Sequence, residues 1–135
     1  MTEPGTAPEI FGAVIAFANH CGIEPLEIGD GRSRLRVALG PEHGNNLGIA
    51  HGGLICTLLD VAMGSASRSK VGRAVITLDM QVSFLSPGRG VLVGEGRVLR
   101  AGRSVVFCEA EVRDEAGELV AKASGLFKPT AVRET

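Results

Sequence analysis

The sequence predicts an α+β fold in which one curved antiparallel sheet of about six strands wraps around one long central helix. Residues 52–70 contain no proline and repeat their apolar side chains at helical spacing. The second half of the chain alternates apolar and polar residues, and turn residues recur about every 14 to 15 positions. A helix of ~18 residues is ~27 Å long and strands of ~10 residues are ~33 Å long, so the sheet can enclose the helix.

Composition limits both the size and the class of the protein. With 135 residues the chain is expected to form one domain, residues 1–135. A net charge of −1, 4% aromatic residues and no Trp or Tyr argue against a nucleic-acid-binding surface, which needs basic and stacking side chains. Hydrophobic residues at 44% and charged residues at 21% are typical of a chain with a packed core.

The apolar stretches are too short to cross a membrane. Asn19 and His20 interrupt one stretch and Asp60 the other within about ten residues, whereas a span needs ~20. Residues 1–9 lack a basic segment followed by an apolar one, so we expect no secretory signal and a cytoplasmic protein. The three cysteines are widely spaced in apolar runs, which favours reduced thiols in the core.

The first half of the chain divides into two helices and a hairpin. A short amphipathic helix is predicted over residues 8–20, with Pro8 in its first turn. Residues 23–28 and 32–39 form the predicted hairpin, because Gly-Asp-Gly between them is typical of a turn. A loop rich in Gly, Asn and His leads into the central helix, about residues 52–70.

The second half is predicted to be a four-stranded antiparallel meander. Its first strand alternates Ile76, Leu78 and Met80 with Thr77 and Asp79, so one face is apolar and Thr77 falls on the other. The turns are expected at residues 86–88, 101–103 and 114–117. Because the polar face of the strand at 76–86 carries few charges, an exposed edge there could pair with a second copy. We therefore expect a homodimer.

Small residues follow one face of the central helix. Gly53, Thr57, Asp60, Gly64 and Ser67 recur at spacings of 4, 3, 4 and 3, which places Asp60 in the middle of this stripe. A solvated helix face normally carries Lys, Glu or Arg, so Asp60 is predicted to face a cleft or an interface. The alternative interpretation is that Asp60 hydrogen-bonds a neighbouring loop or water.

The entrance of the same helix carries Asn45, His51, Gly52 and Gly53. A helix N-terminus presents unpaired N–H groups, and glycine lets a substrate oxygen approach them closely. These residues therefore suggest an oxyanion hole. The alternative is that Asn and Gly only shape a turn while His51 caps the helix.

The segment from Asn45 to Asp60, Asn-Asn-Leu-Gly-Ile-Ala-His-Gly-Gly-Leu-Ile-Cys-Thr-Leu-Leu-Asp, resembles the active-site segment of hotdog-fold acyl-CoA thioesterases. The resemblance is to the subfamily that includes the phenylacetate-degradation thioesterase and the mammalian thioesterase superfamily members. It extends over residues 77–88 and 102–123, which resemble the third strand and the closing hairpin of that family. The hotdog fold that it implies agrees with the length argument above.

The resemblance also implies a role for each matching residue. Asp60 corresponds to the catalytic carboxylate, either a general base or a nucleophile that forms an anhydride, and Asn45 to the amide that positions water or the acyl group. Gly53 corresponds to the glycine whose N–H polarises the thioester carbonyl, and His51 to the histidine that shapes the loop. Thr77 corresponds to a Ser or Thr that orients the water in some members. Asp60 of one subunit would complete a site whose Asn45 and Gly53 come from the other, and two such dimers would form a homotetramer.

The expected function is hydrolysis of an aryl- or medium-chain acyl-CoA to the free acid and CoA, without a cofactor. A zinc site is not expected, because the His, Cys and Asp residues near the helix entrance lack ligand spacing. The alternative function is non-catalytic acyl-CoA binding by a sensor or scaffold, against which the intact pair of Asn45 and Asp60 argues.

Further residues are candidates for holding the substrate. They are Gly52 at the helix entrance, Ser86 and Pro87 in the predicted turn, and Arg103. The CoA phosphates would attract arginines, and Arg32, Arg34 and Arg36 form a basic row on one strand. The alternative is that such arginines pair with glutamates on adjacent strands.

Overall fold

The computed structural model describes residues 7–133 and contains one six-stranded antiparallel sheet with a long helix packed on it. In chain order the elements are α1 (Ala16–His20), β1 (Glu24–Gly29), β2 (Arg32–Ala38), a 3₁₀ turn (Pro41–His43), α2 (Gly52–Val71), β3 (Arg73–Phe84), β4 (Val91–Ala101), β5 (Val106–Asp114) and β6 (Leu119–Arg133). The strand order is β1-β2-β4-β5-β6-β3. The predicted α+β fold is confirmed.

α2 agrees closely with the helix predicted at residues 52–70. His51 caps its start, where the imidazole accepts a hydrogen bond from the Gly53 N–H. Gly72 ends the helix in the left-handed conformation, with φ at 69°, and its N–H donates to the Arg68 carbonyl. Within residues 7–133 none of the helices combines the length and hydropathy that crossing a bilayer requires.

The predicted N-terminal helix at residues 8–20 is wrong over most of its length, because the helix comprises only Ala16–His20. Ile10 and Ala13 instead close a tight turn, in which each N–H donates to the other residue's carbonyl at 2.7 and 3.2 Å. Phe11 and Gly12 have φ values of 51° and 85°, which an α-helix cannot accommodate. Ile10, one of the apolar residues that suggested a helix, is fully buried at this turn.

The predicted four-stranded meander is also wrong, because β3 pairs with β6 and not with β4. Only β4, β5 and β6 form a meander, and residues 85–90 cross the end of the sheet to connect β3 with β4. The Leu85 and Ser86 N–H groups donate to the Val120 carbonyl, and the Ala50 N–H donates to that of Gly88. Residues 86–88 are therefore part of a crossover, and β3 lies at the sheet edge.

A β-bulge at Leu78 changes which side chains of β3 face α2. Thr77 is opposite Phe127 and Asp79 is opposite Leu126, so Leu78 has no partner in the register. The bulge shifts the alternation by one residue. Val75 and Thr77 face the helix before it, whereas Ile76 and Leu78 are 56% and 52% exposed. The prediction of one continuous apolar face along this strand is therefore wrong.

The middle of α2 lies against β2 and β4 without intervening side chains. A Cβ at Gly96 would overlap the Ala62 carbonyl group, so only glycine permits this approach. The Ser33 hydroxyl, on the residue paired with Gly96, donates to the Ala62 carbonyl at 2.6 Å. Leu58, Leu59 and Met63 are fully buried around this contact. These contacts fix the axial position of the helix on the sheet.

This contact predicts that Gly96→Ala destabilises the protein. The added methyl would collide with helix backbone, which has no rotamer by which to move away, so we expect the free energy of unfolding to fall by about 1 to 3 kcal/mol. Urea denaturation followed by circular dichroism measures this change. Gly29→Ala is the matched control, because a Cβ there meets open space, and it should change stability by less than about 0.5 kcal/mol. Equal effects of the two substitutions would contradict the proposed contact.

Candidate active site

Asp60 lies midway along α2 and is partly buried, with its carboxylate directed toward β3. The Thr77 hydroxyl donates to Asp60 Oδ1 at 2.7 Å. Asp60 Oδ2 accepts no hydrogen bond from residues 7–133. Because the bulge at Leu78 turns Thr77 toward the helix, the strand brings together two residues that simple alternation would separate.

A cleft of 290 Å³ lies beside this pair. Its remaining lining is mainly apolar or small, and consists of Ala13, Ile15, Val61, Gly64, Ser65, Arg68, Ala74, Val75 and Phe127. The small-residue stripe of α2 therefore borders the cleft at Gly64. Of the two interpretations of Asp60, the cleft-facing one agrees with this geometry.

Asn45 lies in the loop before α2 and is held by its own side-chain oxygen. Oδ1 accepts hydrogen bonds from the Leu47 and Ile49 N–H groups at 2.8 and 3.3 Å. This arrangement fixes the orientation of the amide, and its Nδ2 group makes no hydrogen bond to the described part of the chain. Asn45 lines a second cleft, of 380 Å³, that Gly52, Phe84, Ser86 and Pro87 also line.

The backbone N–H groups of Gly52 and Gly53, at the start of α2, differ in their hydrogen bonding. The Gly53 N–H donates to His51 Nδ1 at 2.8 Å, so Nδ1 is unprotonated and the Gly53 N–H is occupied. The Gly52 N–H has no hydrogen-bond partner within residues 7–133. The unpaired backbone donor that the sequence analysis attributed to Gly53 is therefore at Gly52. The rule that an N-cap side chain bonds the second or third N–H of its helix would have predicted this.

The two clefts share no lining residue within one chain. Gly52 and Asp60 are eight residues apart on α2, which corresponds to ~12 Å along the helix axis. Asn45, Gly52, Ser86 and Pro87 are thus brought together at the start of the helix, whereas Asp60 and Thr77 are brought together at its middle.

The other substrate-binding candidates differ in their surroundings. The Ser86 hydroxyl donates to the Leu119 carbonyl at 2.7 Å, so it supports the crossover. Arg103 is exposed in the turn between β4 and β5, roughly 26 Å along β5 from the end where Ser86 lies. Within one chain Arg103 lines neither cleft.

The basic row on β2 pairs with acidic side chains. Arg34 lies 2.9 Å from Glu27 and 3.5 Å from Glu95, and Arg36 lies 3.3 Å from Glu24. For these two arginines the alternative interpretation, pairing with neighbouring strands, agrees with the structure.

Burial and a nearby charge raise the pKa values of thiols near the site. Burial raises the pKa of the Cys56 thiol, and the negative charge of Asp60, one helical turn away, raises it further. Burial also raises the pKa of Cys21. All three cysteines are free. Among the described residues we find no group of three or more His, Cys, Asp or Glu side chains arranged to hold a metal ion.

Comparison with known families then identifies the chain. Residues 47–121, which contain Gly52, Asp60 and Thr77, match the family model of the thioesterase superfamily. The chain belongs to this superfamily. Thioester hydrolysis is the chemistry that gives the family its name.

Two relatives illustrate the range of the superfamily. A candidate esterase of Halobacterium salinarum is 38% identical over 98 residues, which are 67% of this chain and 65% of that protein. Human acyl-coenzyme A thioesterase 13 is 29% identical over 86 residues, 60% of this chain and 61% of that protein. This superfamily member thus spans about two thirds of the length of these relatives.

Solved structures agree with the fold over nearly all of the chain. A conserved Pseudomonas aeruginosa protein superposes with a TM-score of 0.86 at 33% identity, covering 91% of this chain and all of that one. Escherichia coli PaaI, from the phenylacetic acid degradation operon, has a TM-score of 0.84 at 23% identity over 90% and 88% of the chains. A Streptococcus mutans protein bound to acetyl-CoA has a TM-score of 0.78 at 28% identity over 82% and 90%.

The effect of Asp60 on Cys56 predicts a specific pH dependence. In Asp60→Asn the carboxylate charge is lost, so the Cys56 pKa should fall and more thiolate should be present at any pH below it. Alkylation of Cys56 by iodoacetamide, followed by mass spectrometry from pH 7 to 9, should therefore be faster in Asp60→Asn than in the wild type. Cys21 is the internal control, because burial alone raises its pKa. An unchanged alkylation rate of Cys56 would contradict the proximity of its thiol to the Asp60 carboxylate.

Proposed function

We propose that the protein is an acyl-CoA thioesterase that hydrolyses aryl- or medium-chain acyl-CoA to the free acid and CoA. The observation that carries this proposal is Asp60, held through Oδ1 by Thr77 at the edge of a mainly apolar cleft. The superfamily match and the acyl-CoA activity named for the human relative support the reaction class. The S. mutans structure bound to acetyl-CoA supports the choice of thioester.

Asp60 supplies the carboxylate that the reaction needs. As a general base it removes a proton from water, the oxygen of which attacks the thioester carbon; the C–S bond then breaks, and the departing CoA thiolate takes up that proton. As a nucleophile it attacks the thioester carbon and displaces the CoA thiolate, which leaves a mixed anhydride that water hydrolyses. Both routes use a carboxylate oxygen that is free to react. The Thr77 hydrogen bond to Oδ1 leaves Oδ2 for that step.

The start of α2 supplies the groups that stabilise the developing oxyanion. We assign this role to the Gly52 N–H, because His51 occupies that of Gly53. The helix N-terminus adds a partial positive charge at the same point. Asn45 lines the same cleft as Gly52, and its Nδ2 group is the second donor in this proposal. Each donor of this kind contributes about 10² to 10³ in rate.

A dimer formed through β3 would unite the two clefts. Thr77, near the start of β3, borders the Asp60 cleft, and Phe84, at the end of β3, borders the Asn45 cleft. Antiparallel pairing of β3 with β3 of a second copy would therefore bring the Asp60 cleft of one subunit against the Asn45 cleft of the other. The edge position of β3 and the exposed Ile76 support this pairing.

The remaining parts of the proposal follow the family resemblance. They are a dimer of two such dimers, a cytoplasmic location, and a substrate of the phenylacetate-degradation type, for which the fold similarity to PaaI is the support. In such an assembly Arg103 of a neighbouring subunit is the candidate contact for a CoA phosphate, because Arg103 lines neither cleft of its own chain.

The composite site predicts complementation between two inactive variants. Asp60→Asn removes the carboxylate, and Asn45→Asp removes the amide donor while it retains the oxygens that hold the loop. Each variant alone should lose activity by at least about 10². In an equal mixture of refolded subunits, half of the dimers are mixed and each contains one intact site, so about one quarter of the wild-type activity should return.

Steady-state hydrolysis of phenylacetyl-CoA and octanoyl-CoA, followed by release of the CoA thiol, measures this recovery. A mixture of each variant with itself is the control for refolding. Absence of recovery would contradict the shared site. Full activity of Asp60→Asn would overturn the assignment of the carboxylate, and binding without turnover by the wild type would favour the sensor or scaffold alternative.

Gly52→Pro tests the assignment of the oxyanion donor, because proline lacks an N–H. Proline is tolerated at the first position of a helix, and His51 already has the extended conformation, with φ at −64° and ψ at 138°, that a residue before proline requires. We expect the thermal midpoint to change little and kcat to fall about 10²-fold. Gly52→Ala keeps the N–H and is the matched control, because its Cβ would lie 3.5 Å from the Phe84 ring. Equal kcat values for the two variants would exclude Gly52 as the donor.

A further inference from the structure

The loop between β2 and α2 carries Asn45 but has little apolar packing to hold it. Most of its residues from 41 to 48 are exposed to solvent, and its apolar residue Leu47 is 72% exposed. On one side the loop borders a cleft of 310 Å³ that residues 88–90 also line. Hydrogen bonds therefore have to fix the position of the Asn45 amide.

The His43 ring attaches this loop to a different part of the chain. Its Nδ1 accepts a hydrogen bond from the Gly40 N–H at 2.8 Å, so this nitrogen is unprotonated. Nε2 therefore carries the proton of the neutral ring, and it donates to the Cys21 carbonyl, 22 residues earlier, at 2.6 Å. The Glu42 carboxylate, 3.2 Å from Nδ1, is largely exposed and has no proton to donate to it. Only 10% of the His43 side chain is exposed.

Cys21 is itself held firmly by the core of the protein. Its N–H donates to the Phe17 carbonyl and ends α1. On either side of it Ala18 and Ile23 are buried in the core, and the Ile23 N–H donates to the Ala18 carbonyl at 3.0 Å. The His43 ring thus connects an exposed loop to a rigid part of the molecule.

Backbone hydrogen bonds link His43 to the rest of the loop. The His43 carbonyl accepts from the His51 N–H at 2.8 Å, directly before Gly52. The Asn45 N–H donates to the Ile49 carbonyl at 2.8 Å, while Asn45 Oδ1 accepts from the Ile49 N–H. These bonds make the loop move as one unit, so its position on the protein depends on where its base is attached.

We infer that His43 is a positioning residue, which holds the loop so that the Asn45 amide lies beside the Gly52 N–H. This inference rests on the proposed function, because it takes these two groups as the donors to the thioester oxygen. His43 lines neither the Asn45 cleft nor the Asp60 cleft, so it contributes geometry alone. A displacement of ~1 Å in a catalytic group costs up to about 10² in rate.

Two amide substitutions separate the two hydrogen bonds of the ring. The nitrogen of Gln lies near the position of Nε2, so His43→Gln retains a donor for the Cys21 carbonyl. Asn reaches only as far as Nδ1, so His43→Asn retains an acceptor near the Gly40 N–H but loses the bond to Cys21. In His43→Asn kcat should fall about 10- to 100-fold with little change in KM, whereas His43→Gln should stay within about threefold of the wild type.

A double variant distinguishes positioning from loss of folded protein. In Asn45→Asp the amide donor is already absent, so His43→Asn has no donor left to displace. Adding His43→Asn to Asn45→Asp should therefore lower kcat by less than about twofold. A smaller fraction of folded protein would instead lower kcat by the same factor in both backgrounds. Steady-state hydrolysis of phenylacetyl-CoA and octanoyl-CoA, followed by release of the CoA thiol, measures these values.

His20→Gln is the matched control, because it replaces an exposed histidine next to Cys21 that stacks on Phe17. It should leave both kcat and KM unchanged. Thermal unfolding of every variant checks that it is folded at the assay temperature.

The outcomes separate this inference from the proposed function. Equal kcat values for His43→Asn and His43→Gln, or an equal loss from His43→Asn in the wild-type and Asn45→Asp backgrounds, would overturn the role of His43 while thioester hydrolysis stands. Failure of the wild type to hydrolyse either thioester would overturn the proposed function and this inference together.

Discussion

The orientation of Asp60 depends on the close contact between the middle of α2 and the sheet. At Gly96 the strand backbone approaches the Ala62 carbonyl, and Ser33 donates a hydrogen bond to the same oxygen. Because this contact fixes the position of α2 on the sheet, it also determines which helix side chains face each strand. Asp60, two residues before Ala62, is directed toward β3, where Thr77 meets it. The orientation of the carboxylate is therefore a consequence of backbone packing.

The sequence was informative where one local pattern has one structural meaning. The apolar spacing of α2 predicted its bounds within one residue at the end, and the Gly-Asp-Gly turn predicted the first hairpin. The sequence was misleading where the same pattern of residues is compatible with two different structures. Residues 86–88 have the composition of a hairpin turn, but they belong to a crossover because β6 takes the place beside β3.

Prediction of the site was limited by similar ambiguities. Asp60, Asn45 and His51 were recognisable from the motif, and capping rules could have distinguished Gly52 from Gly53. The orientation of Thr77 was not predictable, because the bulge at Leu78 leaves the apparent alternation of the strand intact.

The strand order also constrains how the chain folds during its synthesis on the ribosome. β3 contains Thr77, but its hydrogen-bonding neighbour β6 begins 35 positions after β3 ends, at Leu119. At a translation rate of about 5 to 20 residues per second, synthesis of β6 begins roughly two to seven seconds after synthesis of β3 ends. During that interval its apolar side chains and unpaired backbone are open to chaperones and to other nascent chains. β3 can join the sheet only after β6 has been synthesised. A chain that ends before β6 would therefore lack the strand that holds Thr77 beside Asp60.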